Sequence, residues 1–211
     1  MKTRSNAQRF FGRWVLATFG GWLLGVVVIV LLAGIGELVH LGGNQCAVGI
    51  GMGWSIGCVQ WRIARKWFGS SSEWMWASVV GMGTPFVLSD LFGAWGHGGH
   101  AGMLSLVGLV NAALGGLLVG LWQRRTLRSH SARANWWVPA CIAGWMLAAV
   151  LPPALIGSRP GPHWSNLVGI ALGGVVLGVV SGGALVWVLR SFAVACQPEA
   201  AADASQERRW G

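Results

Sequence analysis

The chain has 211 residues, 54% of them hydrophobic and only 10% charged, with a mean hydropathy of +0.58 and a formal net charge of +9. So few charges cannot clothe a soluble globule of this length, which excludes a water-soluble enzyme or nucleic-acid-binding domain and makes lipid the expected solvent. Runs of about 20 apolar residues are long enough to cross a hydrocarbon core, and such runs lie near 14–38, 47–63, 74–92, 103–122, 136–156 and 166–189. The expected fold is all-α, an integral membrane bundle of six transmembrane helices.

The first segment opens with basic residues, as a signal peptide does. Its apolar run is too long for one, however, and shows no small-residue cleavage pattern before Glu37, so it is read as a retained helix. It carries Trp14, Ala17, Thr18, Gly21 and Trp22. The second segment is diluted by Gly49, Gly51, Gly53 and Gly57 and runs on into Gln60, Arg62 and Arg65. The third repeats the first as Trp74, Ala77, Ser78, Gly81 and Met82, and the fourth repeats the second as Ala112, Gly116, Gly120, Gln123, Arg125 and Arg128. The fifth brings back Trp137, Ala140, Cys141, Gly144 and Trp145. The sixth keeps Gly174, Gly178, Gly182 and Arg190, with Leu185 at the glutamine position and Trp187 at the first arginine.

Two templates alternate, so the chain reads as three helical hairpins of like orientation, over about 10–70, 71–133 and 134–192, inside one membrane domain spanning 1–197. Repeats in parallel orientation are related by an axis along the membrane normal, which predicts a pseudo-threefold arrangement. Residues four apart share a helix face, so each glycine series is a small-x3-small packing stripe of the kind that drives helix association in lipid. The glycine-rich helices 2, 4 and 6 are therefore expected to form a central layer. The polar segment 198–211 is expected to be a loose cytoplasmic tail.

Fourteen of the fifteen lysines and arginines precede, follow or connect the spans on one side, and only Arg159 falls on the other. By the positive-inside rule both termini and the two basic loops are cytoplasmic, in a bacterial cytoplasmic membrane. Arg62, Arg65, Arg125 and Arg128 are then placed to meet anionic lipid headgroups, which accounts for the basic charge without a nucleic acid. Fifteen tryptophans and no tyrosine suggest an interfacial belt made of Trp14, Trp61, Trp67, Trp74, Trp122, Trp136 and Trp137. Only Trp22, Trp54 and Trp145 lie deep enough to line an aromatic cage. The four cysteines show no CxxC pairing and imply no disulfide framework.

The templates, a glycine-striped helix running into glutamine and spaced arginines and a tryptophan-led helix with alanine and glycine, resemble uncharacterised bacterial polytopic membrane proteins with Trp/Gly-rich hairpin repeats. That resemblance is one of pattern. It implies no activity, cofactor or catalytic residue.

Each connection on the side opposite the basic residues contains histidine: His40, then His97 and His100, then His163. The intervals Trp14 to His40, Trp74 to His100 and Trp137 to His163 are all 26 residues. Three imidazoles converging on a threefold axis would suit Zn²⁺ or another divalent metal, with His97, Glu37 or Asp90 as further ligands or second-sphere partners. The competing reading has these histidines cap helix ends. No cofactor is otherwise expected, no nucleophile, base and orienting acid can be assembled, and no ionisable residue occupies the middle of a span.

The leading expectation is therefore a non-enzymatic membrane scaffold or accessory subunit, self-associating or bound to other membrane subunits. The alternatives are a metal- or haem-binding membrane protein using His40, His100 and His163, and a small-solute channel or transporter.

Overall fold

In a bilayer every backbone N–H and C=O must be satisfied within the segment that carries it, which leaves helices as the natural form for these apolar runs. The computed structural model describes residues 2–38, 45–93, 101–156 and 164–195. Among them it contains six α-helices and no strand: α1 (Lys2–Leu38), α2 (Gln45–Phe68), α3 (Glu73–Gly93), α4 (Ala101–Arg128), α5 (Trp137–Ile156) and α6 (Trp164–Ala195). A short 3-10 turn, Ala132–Trp136, precedes α5.

Five of the six helices, all except α2, are long and apolar enough to cross a membrane. The exception follows from composition, since glycines, Gln60 and three basic residues lower the hydropathy of α2. Its 24 residues nevertheless reach ~36 Å at 1.5 Å per residue.

Each helix packs on its neighbours in the chain, and α6 packs back on α1, so the helices form a closed ring one helix thick. The expected central layer is not what forms. Among the described residues α2, α4 and α6 make no mutual contact, because their glycine stripes face sideways along the ring instead of inward. Gly53 lies against Ser78 and Val79 of α3, Gly116 against Cys141 and Ile142 of α5, and Gly178 against Val15 and Thr18 of α1. The small residues of α1, α3 and α5 face the other way. Gly21 meets Ser55 and Ile56 of α2, Gly81 meets Val119 of α4, and Gly144 meets Leu177 and Val180 of α6.

Every seam of the ring thus has at least one glycine against a neighbouring helix, and the close approach is made within the chain. Large apolar side chains such as Leu16, Val30, Leu31, Phe92 and Leu155 point outward and are well exposed, as expected of surfaces that meet lipid. The basic end of the ring is tied together by contacts between elements. Phe10 of α1 packs edge-on against Trp67 of α2, with ring centroids 5.0 Å apart. Ser131 donates to the Val188 carbonyl of α6 at 2.7 Å, fixing the α4–α5 connection.

Candidate functional site: the centre of the ring

Helix positions four apart that are not spent on the seams point to the ring axis. At the basic end these are Trp14, Trp74 and Trp137, the first residues of the tryptophan-led template, and all three are almost completely buried. Trp74 touches both others, with ring centroids 6.0 Å from Trp14 and 5.6 Å from Trp137. The expected interfacial belt is corrected here. An indole beside a cluster of arginines reads from sequence as a headgroup anchor, but these three close the axis, while Trp67 and Trp136 remain exposed at the rim. The signal that separates them is periodicity, since Trp14, Thr18 and Trp22 lie on one face and so do Trp74, Ser78 and Met82.

One turn further in lies a collar of neutral polar groups. Gln60 donates from Nε2 to Thr18 Oγ1 at 3.1 Å. Gln123 donates from Nε2 to Ser78 Oγ at 3.0 Å and to the Trp74 carbonyl at 3.2 Å, and its Oε1 accepts from Trp137 Nε1 at 3.0 Å. The α5–α6 pair has Leu185 where α2 and α4 have glutamine and Cys141 where α1 and α3 have a hydroxyl residue, and both are buried. The two changes compensate, because losing only one partner would leave a buried polar group unpaired. Ser181 takes over one duty of the missing glutamine, accepting from Trp14 Nε1 at 3.0 Å. Trp74 Nε1 is buried without a partner.

The collar encloses a space of about 20 Å³ lined by Gln60, Ser78, Gln123 and Ser181 among apolar neighbours that include Trp145. Beyond it, away from the basic end, the axis widens into a cavity of about 350 Å³. All six helices contribute to its wall: Trp22 and Val26, Met52, Met82 and Phe86, Ala112, Trp145, and Ile170. Trp145 borders both spaces, and its ring lies 6.0 Å from that of Trp22. A side cavity of about 260 Å³ shares Trp22, Ala149 and Ile170 with the central one and reaches Pro152, Pro153 and Ser165 between α5 and α6.

Of the sequence candidates for a metal, His40, His97, His100 and His163 lie outside the described residues. Glu37 is exposed on the last turn of α1. Asp90 is engaged otherwise: its carboxylate accepts from the backbone N–H groups of Gln45, at 3.2 Å, and Cys46, at 2.7 Å, capping the start of α2 from α3. Among the described residues no group of three or more His, Cys, Asp and Glu side chains gathers in a ligand arrangement.

The proposed lipid-facing arginines Arg62, Arg65, Arg125 and Arg128 are all exposed on the final turns of α2 and α4. Arg65 lies over the Trp61 ring at 5.5 Å, and Arg133 over Trp187 at 5.0 Å, so Trp187, at the drifted arginine position, serves as a cation's partner. Comparison with protein-family models, curated proteins and solved structures finds no match.

The glycine stripes Gly49, Gly53, Gly57, Ala112, Gly116, Gly120, Gly174, Gly178 and Gly182 were readable as packing surfaces. The cavity was not, because no sequence motif marks a ring lumen, and its wall combines residues that separately look like ordinary core.

Proposed function

We propose that the protein is a non-enzymatic integral membrane protein of the carrier or channel class, which takes a small molecule into the centre of a six-helix ring. The observation that carries this reading is the cavity of about 350 Å³ walled by side chains from every helix. Its size and mostly apolar, aromatic lining fall within the range of small-molecule sites. A scaffold or accessory subunit would be expected to offer its small-residue stripes to partners, whereas here the stripes are consumed by the seams within the chain.

In this reading the six helices cross the bilayer as three hairpins of like orientation, related by an approximate threefold axis along the lumen. The α2 helix crosses despite its lower hydropathy, because α1 and α3 cover both its flanks. The basic end is cytoplasmic, with its exposed arginines among anionic headgroups. The tryptophan triad then closes the cytoplasmic end, and the cavity lies toward the opposite membrane face.

Gly108 provides the test, because it lines the cavity and a Cβ placed there meets nothing within 4 Å. Gly108→Trp should fill the lumen without displacing backbone. The probe is 4-(hydroxymethyl)benzophenone, whose excited ketone inserts readily into C–H bonds beside methionine sulfur. In lipid nanodiscs it should label Met52 or Met82 in the wild-type protein and lose that labelling in Gly108→Trp. Labelling that persists in the variant, or that falls only on outward-facing residues, would contradict the proposal.

A further inference from the structure

We infer that the central site takes an uncharged molecule with an apolar body and a single hydroxyl head, and that this hydroxyl docks on the amide of Gln60 beyond Trp145, donating to Oε1. This inference rests on the carrier or channel reading and narrows its ligand.

The absence of charge in the wall sets the first condition. Neither the outer cavity nor the collar space is lined by Asp, Glu, Lys or Arg, and an ion moved there would lose its hydration with no opposite charge to replace it. The body of the ligand is set by the faces it meets, the indoles of Trp22 and Trp145, the ring of Phe86 and the thioethers of Met52 and Met82. These surfaces favour an aromatic or compact aliphatic group.

The head is set by what the collar leaves unspent. Gln123 has used both amide hydrogens and its oxygen, and the third position of the collar is Leu185. Gln60 is 6% exposed, lines the collar space, and donates to Thr18. No described donor engages its Oε1, one of its amide hydrogens is also unspent, and the oxygen is not among the fully enclosed unpaired atoms, so the collar presents one open amide edge. An amide edge that a ligand hydroxyl can reach gains a hydrogen bond that an apolar ligand cannot supply.

The collar space of about 20 Å³ has room for one hydroxyl group, close to the size of a single water. Because Trp145 borders both spaces, a body in the outer cavity can pass its head to Gln60 once the indole turns aside. The Trp145 ring is therefore the partition between the two halves of the site.

The experiment competes the same benzophenone probe, on the full-length protein in nanodiscs, with 1-naphthol, naphthalene and 1-naphthoate, each expressed per mole of lipid. One neutral hydrogen bond should make 1-naphthol about fivefold more effective than naphthalene, and 1-naphthoate should not compete. Gln60→Leu, which copies the residue already present at the third position, should weaken labelling by the hydroxyl-bearing probe to a similar degree and make naphthol and naphthalene equal as competitors of the labelling that remains. Gln60→Met serves the same purpose if the leucine variant does not fold.

Equal competition by naphthol and naphthalene in the wild type, a preference surviving in both Gln60 variants, or effective competition by 1-naphthoate would overturn the inference. Failure of the probe to label Met52 or Met82 in the wild type would instead remove the cavity reading itself. The two failures are therefore distinguishable.

Discussion

At Gly53 an added methyl would strike the Ser78 carbonyl and come within 3.0 Å of Val79 Cα, backbone atoms that cannot yield unless α3 moves. Gly20 is different: it is exposed, and nothing lies within 4 Å of the same position. Overpacking a close helix contact costs ~1–3 kcal/mol, whereas alanine at an open helical site gains up to ~1 kcal/mol over glycine. Gly53→Ala should therefore lower the thermal unfolding midpoint in detergent while Gly20→Ala leaves it level or raises it, as read by fluorescence-detected size exclusion after heating. Spacing alone made the first glycine legible, because Gly49, Gly53 and Gly57 share one face. Which neighbour that face would meet was not legible, since a helical period identifies a side of the helix and not its partner. The tryptophans failed for a related reason. Indole suits both a wet interface and a packed core, so their proximity to arginine did not separate Trp14 from Trp67, although the four-residue spacing of Trp14 and Thr18 did.

Among the helices, α2 departs furthest from an ordinary membrane segment, and its start depends on a neighbour. The first N–H groups of a helix have no intrahelical acceptor, and here Asp90 of α3 reaches across to the backbone of Gln45 and Cys46. A carboxylate there also meets the positive end of the helix dipole. Removing a capping side chain costs about 1 kcal/mol, so Asp90→Ala should speed amide exchange at residues 45–48 without changing exchange in α5. Unaltered protection at those amides would show that the cap contributes nothing. The helix spans themselves were largely readable from apolar length, and the hydropathy of α2 was diluted where the glycines and Gln60 predict. The cap was not readable, because Asp90 has no counterpart at the equivalent positions Val30 and Pro153, and an isolated carboxylate near a helix end carries no address for its target.

For the whole molecule, closure of α6 onto α1 makes all six seams part of one circuit, so a break in a connection leaves every helix with both neighbours. Fragments 1–69 and 70–211, co-expressed from separate starts, should therefore co-purify as a one-to-one complex that still labels with the benzophenone probe. Recovery of either piece alone would argue that the seams are too weak to hold the ring. Its six-helix, all-α character was visible in the apolar runs. That the helices stand side by side instead of burying α2, α4 and α6 inside was hidden, because a small-residue stripe serves a central layer and a lateral seam equally well.

A wall one helix thick has a mechanical corollary. In the carrier or channel reading every stave would turn one flank to acyl chains and the opposite flank to the ligand, with no inner shell to buffer the lumen from its surroundings. Helices answer a change in hydrocarbon thickness by altering their tilt, and six staves tilting together would change the bore of the ring. Lipid chain length should then act on this protein as a modulator of ligand fit.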